Sequence, residues 1–169
     1  MDLYRLALQA ALLITSVSAL AFENEPTGFR GIEWGTKFEQ VAEQFTQTTA
    51  SQDRVFYQRK GDKLNFGEAV LQDITYMFYK GEFQGVMIRS EAGVQNQHAL
   101  KDAVTAQFGF GRHPNRYMER VYWFGPVTWI SLDCFNSTKR CTLMIRSKAV
   151  IDREQADKKT AAAGAKKDI

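Results

Sequence analysis

The sequence is poor in the residues from which catalytic and metal sites are usually built. It has two histidines and two cysteines, and their spacing fits none of the common zinc motifs. It contains no Cys-x-x-Cys pair, no Gly-x-Ser-x-Gly nucleophile turn and no His-Glu-x-x-His helix. We therefore expect no metal and no cofactor, and an enzyme is the weaker hypothesis for this chain.

An excess of charge of one sign is also missing. The chain has 22 Lys and Arg against 19 Asp and Glu, which gives a net charge of +3. Nucleic-acid-binding domains concentrate basic residues on one face or stripe, so we expect no nucleic-acid partner. Apolar residues make up 44% and aromatic residues 12% of the chain, which is enough to form a packed core.

The apolar run that could concern a membrane lies at the start of the chain. Arg5 is followed by the uncharged stretch LALQAALLITSVSALA, which ends in a small-x-small cleavage pattern at 19–21. The run is short for a bilayer span, which takes about 20 residues. We predict that residues 1–21 are a signal peptide and that the mature protein is periplasmic or secreted, with no stable membrane span. An uncleaved anchor is the alternative.

After residue 21, the pattern of elements predicts a single α+β domain over 22–150. Apolar runs bounded by turn residues predict strands at 29–34, 54–60, 70–79, 83–90, 118–124, 127–135 and 140–147. Helical spacing of apolar residues predicts helices at about 36–45 and 95–108. Short connections favour antiparallel pairing, so we expect a two-layer sandwich with two helices on one face of a mostly antiparallel sheet of about six or seven strands.

The first of these helices is predicted from the opening GFRGIEWGTKFEQVAEQF. Thr36 and Glu39 have the spacing of a capping box, and apolar residues follow at i, i+3, i+4 and i+7. The polar segment 46–53 is expected to be a loop. The Lys/Ala-rich segment 151–169 is expected to be a flexible tail, after a short helical start at most.

The two cysteines, in SLDCFNSTKRC, give the sharpest structural prediction. If the last two strands pair about a turn centred at 137–138, Cys134 lies opposite Cys141. The same register sets two apolar pairs on the same face: Leu132 with Leu143, and Ile130 with Ile145. Facing Cβ atoms are about 4.5–5.5 Å apart, close to disulfide geometry, and export would place them in an oxidising compartment. We predict a Cys134–Cys141 disulfide; two buried free thiols are the alternative.

The opposite face of the same hairpin is a candidate partner surface. It sets Trp129 across from Arg146, a pair suited to a cation–π contact, with Met144 as a neighbour. Trp, Met and Arg are enriched at protein interfaces, and a second packed face is the alternative. The turn residues Asn136 and Lys139 are candidates as well, because a disulfide would present them rigidly.

A basic cluster is a candidate site for an anionic group. Arg112, His113, Arg116 and Arg120 surround Tyr117 next to a Gly/Pro loop. Such side chains bind phosphate or acidic groups. A solvated loop is the alternative reading of the same residues.

Three phrases carry a resemblance to other proteins: FRGIEWGTKFEQV, FYKGEFQGVMI and VYWFGPVTWISLDC. Together they resemble small uncharacterised secreted proteins of Gram-negative bacteria, over most of the mature chain. The element types are also similar to helix-on-sheet envelope modules such as the BamE-like assembly factors, whose lipidation cysteine this chain lacks. The resemblance implies an exported protein and brings no catalytic residues.

These patterns favour an exported, non-catalytic binding or protein-interaction module of the bacterial envelope, with another envelope protein as its partner. Two alternatives stay open. The many Phe, Tyr and Met residues could line a pocket for a small apolar ligand between sheet and helices. The tip at 136–139 could instead inhibit an envelope enzyme.

Overall fold

The computed structural model describes residues 22–115 and 119–165. The predicted signal peptide, residues 1–21, lies outside the described residues, as do Arg116, Tyr117, Met118 and 166–169. None of the helices that are described combines the length and the hydropathy needed to cross a membrane.

Ten strands, two α-helices and two 3₁₀ turns make up the described part of the chain. The strands are β1 Gly28–Phe29, β2 Ile32–Glu33, β3 Phe45–Ser51, β4 Arg54–Arg59, β5 Asn65–Phe66, β6 Ala69–Tyr79, β7 Glu82–Ser90, β8 Arg120–Phe124, β9 Thr128–Phe135 and β10 Arg140–Ser147. The helices are α1 Val94–Phe108 and α2 Lys148–Ala165, and the 3₁₀ turns are Phe38–Gln40 and Ala42–Gln44.

Eight of the strands form one antiparallel sheet. Its order is β3-β4-β6-β7-β10-β9-β8, with β5 beside β6, while β1 and β2 pair with each other. The predicted α+β class with a large antiparallel sheet is confirmed. The sheet has more strands than the six or seven expected, because the edge strand β3 and the short β5 also join it.

The predicted register of the last hairpin is confirmed. Cys141 lies opposite Cys134 and forms a disulfide with it, with the two Cα atoms 4.1 Å apart. The buried apolar pairs on the same face are Leu132 with Leu143 and Ile130 with Ile145. Because side chains alternate along a strand, this register assigns the residues of β9 and β10 to two faces. We call the face with the disulfide the core face and the opposite one the outer face.

The two helices lie on opposite faces of the sheet. α1 packs its buried side chains into the cluster that lines the core face. α2 lies on the outer face, where Asp157 accepts a hydrogen bond from the Tyr79 hydroxyl at 2.8 Å, and Tyr79 alternates along β6 with Phe78 of the core cluster. The expected two layers, with helices at 36–45 and 95–108 on one face, are therefore corrected to three layers, because the unexpected helix α2 covers part of the other face.

The segment predicted as a helix at 36–45 forms two 3₁₀ turns instead. Before them, the Phe83 N–H donates to Thr36 O at 2.9 Å, and the Phe38 N–H donates to Gly81 O at 2.8 Å. These bonds hold the backbone in an extended form, and no side-chain cap forms. The apolar spacing reflects an aromatic cluster that packs the Phe38 ring against three neighbours: Phe45, Tyr57 and Phe78.

The polar segment predicted as a loop at 46–53 is mostly strand. β3 pairs with β4 across a bulge between Gln47 and Thr49. Every residue from 46 to 51 is exposed, because β3 is an edge strand, and its threonines suit an extended backbone. The absence of alternating apolar residues made this strand look like a loop.

The segment expected to be a flexible tail is helical through Ala165. The Glu154 carboxylate of α2 is 4% exposed and accepts hydrogen bonds from Arg54 and Gln84, and Lys158 pairs with it at 2.7 Å. Val150 and Ile151, in the first turn of the helix, are buried as well. Beyond them, α2 is attached through a buried carboxylate with three donors, which the search for apolar spacing could not detect.

We expect the docking of α2 to weaken in acid. Burial raises the pKa of Glu154, but hydrogen bonds from Lys158, Arg54 and Gln84 outweigh this effect and lower the pKa from 4.5 to about 2. A carboxyl whose pKa is depressed on folding contributes stability above its unfolded pKa, and that stability is lost as the pH falls through the folded value. We therefore expect about 1–3 kcal/mol of stability to disappear between pH 4.5 and about 2.

Urea unfolding followed by circular dichroism at neutral pH, at pH 4.5 and near pH 2 measures this loss. Glu154→Gln is the matched control, since it keeps the shape of the side chain and cannot ionise. It should be less stable than the wild type at neutral pH and should lose less stability in acid. A constant difference between the two chains at every pH would show that the ionised carboxylate does not hold α2.

Candidate functional site

α2 covers only part of the outer face. It lies over β4, β6 and β7 and also touches β10, and its side chains bond to five partners: Arg54, Tyr79, Lys80, Glu82 and Gln84. Beside it, the registers of neighbouring strands set rows of side chains across the sheet. The row nearest α2 contains Phe124, Trp129 and Arg146, and the next row contains Tyr122, Ser131, Met144 and Met87.

Three aromatic rings in these rows touch each other. The Tyr122 ring stacks on Phe124 with centroids 5.5 Å apart, and Phe124 meets Trp129 edge-to-face at 5.7 Å. Phe124 is 49% exposed, and the other two rings are partly exposed. We call these three rings, together with the neighbouring Met144 and Arg146, the aromatic surface.

Arg146 lies in the aromatic surface without an acceptor. Its Nε atom is buried and has no hydrogen-bond partner, and no ion pair to it occurs in the described residues. The side chain crosses Gly85, where an added Cβ would come within 2.9 Å of the Arg146 Cγ. Burial, and after it the positive charge of Arg54, lower the pKa of Arg146. The guanidinium therefore carries a charge that the protein partly desolvates without pairing it.

The cation over the Trp129 ring is Lys148, whose Nζ is 5.7 Å from the ring centroid. The cation–π contact expected from Arg146 is thus made by the first residue of α2. Lys148 also pairs with Asp152 at 2.5 Å. The positive charge of Lys148, at the border of the aromatic surface, is therefore neutralised by Asp152.

Most other charges beside the aromatic surface are paired. Arg120 forms an ion pair with Asp133, and Arg89 pairs with Asp73 at 2.8 Å. Arg112 lies at the outer edge of β8 through an isolated backbone bridge, and no ion pair to it occurs in the described ranges. The charge left unpaired in this part of the described face is therefore positive.

The structure divides the predicted anion-binding group between two faces. Arg112 and Arg120 both reach the outer face, but Arg120 is already paired with Asp133. His113 lines a cleft on the core face. Arg116 lies outside the described residues. Neighbours in an extended segment point to opposite sides, which separates residues that are adjacent in sequence.

The predicted tip residues Asn136 and Lys139 lie at the opposite end of the β9–β10 hairpin from the aromatic surface. The Lys139 carbonyl accepts a hydrogen bond from the Gly93 N–H at 3.2 Å, and Asn136 lines the same core-face cleft as His113. Of the predicted partner residues, the three on the outer face come together. The two at the tip do not join them.

A concave site lies on the core face, between α1 and the strands β8 and β9. Its volume is about 510 Å³. An apolar floor and a polar rim line it: Val121, Trp123, Leu132 and Cys134 below, with Lys101, His113, Glu119 and Asn136 above. Lys101 pairs with Glu119 at 2.5 Å, and Phe110 at the mouth is 96% exposed.

Tyr122 and Phe124 are functional candidates that the sequence patterns above do not single out. The sequence held the information, because β8 and β9 are joined by a short connection. The observed pairing is centred between Pro126 and Val127 and sets Phe124 opposite Trp129. Side chains alternate along each strand, so this register sends both rings to the same face. The same register argument that placed the cysteines would have placed these two rings.

Among the described residues, no group of three or more His, Cys, Asp and Glu side chains is placed to hold a metal ion. Comparison of the chain with protein-family models, with curated proteins and with solved structures finds no match.

We expect Arg146→Met to leave the fold as stable as before or to stabilise it by up to about 1 kcal/mol. Methionine fills similar apolar space, and the substitution removes a desolvated charge that lacks an ion pair. The matched control is Arg54→Met, which removes a donor from the buried Glu154 and should destabilise by about 1–3 kcal/mol. Urea unfolding measures both. A loss above about 2 kcal/mol for Arg146→Met would mean that the guanidinium holds the fold together.

Proposed function

We propose that this chain is an exported, non-catalytic protein-interaction module of the bacterial envelope, and that its aromatic surface docks another envelope protein. The observation that carries the proposal is the group of mutually packed, partly exposed rings on the part of the outer face that α2 leaves open. Tyr, Trp, Met and Arg are the residues enriched at protein interfaces, and Trp, Tyr and Arg at their energetic centres.

The exposure of Phe124 supports a partner. Full burial of a Phe side chain is worth about 1.5–3 kcal/mol, so a partner that covers this ring gains stability from its removal from water. Tyr122 and Trp129 extend the same apolar area, and contiguous exposed apolar area marks interaction sites.

Three features support export. The Cys134–Cys141 disulfide is typical of oxidising compartments. Residues 1–21 have the composition of a signal peptide. The resemblance expected from the sequence, to small secreted proteins of Gram-negative bacteria, would imply the same periplasmic or secreted location.

We expect Phe124→Ser to abolish capture of the partner, because it removes the central ring of the aromatic surface. The oxidised chain is immobilised, an envelope extract is passed over it, and retained proteins are quantified by mass spectrometry. The matched control is Phe135→Ser, which removes a ring of similar exposure, 52% against 49%, from the tip end of β9.

The expected result is one protein that the wild type and Phe135→Ser both retain and that Phe124→Ser reduces at least about tenfold. Equal loss in both variants would indicate a non-specific apolar effect. Unchanged retention in both would remove the aromatic surface from the proposal.

The cleft on the core face favours a second candidate function, the carriage of a small apolar ligand. Its volume of about 510 Å³ lies in the range of ligand pockets, and its apolar floor with a polar rim is typical of them. Phe110 at its mouth is almost wholly in water, and a bound ligand would give this ring an apolar contact.

We expect the fluorescent probe N-phenylnaphthylamine to bind saturably if the cleft carries apolar ligands. Thr105→Trp fills the cleft from α1 and should weaken probe binding at least about fivefold. The adjacent Ala106→Trp, at an exposed helix position, is the matched control and should leave binding unchanged. Absence of saturable binding to the wild type would end the carrier hypothesis.

A further inference from the structure

The Arg146 guanidinium is an unsatisfied group at the centre of the open part of the outer face. Its Nε atom is buried without an acceptor, and within the described part of the chain no carboxylate pairs with it. The nearby Glu154 is occupied by three other side chains: Arg54, Gln84 and Lys158. Most buried donors in folded proteins have an acceptor, so an exception needs an explanation.

We propose that Arg146 binds a carboxylate side chain, Asp or Glu, of the protein that docks on the aromatic surface. This inference rests on the docking function proposed above and names the chemistry of one contact within it. A guanidinium presents its N–H donors in a planar fork that matches the two oxygens of a carboxylate. Arg146 as a residue is partly exposed although its Nε is buried, so a partner can reach part of the side chain from the side that α2 leaves open.

The charges around Arg146 favour an anion. The neighbouring acids of this face are already paired: Asp133 with Arg120, Asp73 with Arg89, and Asp152 with Lys148. Arg112 at the sheet edge adds a second positive charge that has no ion pair within the described ranges. The surface offered to a partner therefore combines apolar rings with positive charge that has no ion pair. An acidic side chain of the partner would complement this charge.

The position of Arg146 favours a protein side chain over a lipid headgroup. The arginine lies against Gly85 with its Nε buried, so its charge is recessed into the face. Membrane-binding surfaces use projecting Lys and Arg side chains that reach the headgroups. A side chain of a docked protein can enter the recess, and Trp129 and Met144 beside it would exclude water and strengthen the ion pair.

Phenylacetate and phenylacetamide test this chemistry on the full oxidised chain. Both probes carry the same ring, and only the first has a carboxylate. We expect phenylacetate to shift the Arg146 Nε–H resonance saturably and to bind at least about fivefold more tightly than phenylacetamide. The Nε–H of Arg120, which is already paired with Asp133, should not move. Equal binding of the two probes, or an equal shift at Arg120, would overturn the inference.

Capture by the Arg146→Met chain separates this inference from the docking function. We expect retention of the partner to fall at least about tenfold, because its acidic side chain loses the opposite charge. Arg140→Met, at an exposed position at the far end of β10, is the matched control and should retain the partner. If Phe124→Ser abolishes capture and Arg146→Met does not, the docking function stands and the carboxylate inference is wrong.

If neither Phe124→Ser nor Arg146→Met changes capture, the docking function itself is wrong. Vesicles of phosphatidylglycerol in phosphatidylcholine provide the remaining comparison. Vesicle binding that requires Arg146, without a retained protein, would assign the site to anionic lipid and overturn the inference.

Discussion

The pairing register of β9 and β10 decides what each face of the sheet can do. The register that joins Cys134 to Cys141 on the core face also sends Trp129 and Arg146 to the outer face, because side chains alternate along a strand. A slip of one residue would exchange the two faces and would expose the apolar pairs that now lie in the core. The core and the aromatic surface are therefore two consequences of one backbone arrangement.

α2 divides the outer face into a covered part and an open part. The buried residues Val150 and Ile151 and the buried carboxylate of Glu154 with its donors attach the helix to the sheet. The rings of β8 and β9 stay open beside it. Gly85 makes room for Arg146. Because this residue has no Cβ, the Arg146 side chain can lie across β7.

Local features were predictable from the sequence, and long-range ones were not. The disulfide and its register follow from one turn and three facing pairs within a single hairpin, and Trp129, Met144 and Arg146 are neighbours for the same reason. The helix expected at 36–45 failed because backbone bonds to β7, far along the chain, hold its start extended. The helix α2 was missed for the same reason. The hydrogen bond between Arg54 and Glu154 joins residues that are 100 positions apart in the chain.

Oxidation of methionine by dilute peroxide, read peptide by peptide in a mass spectrometer, reports directly on docking at the outer face. Met144 is partly exposed in the aromatic surface, and Met77, 4% exposed, is the internal reference. We expect Met144 to react faster than Met77 in the chain alone, and to be protected at least about tenfold once the captured partner is bound. Met144 that reacts at the same rate with and without the bound partner would contradict docking at this surface.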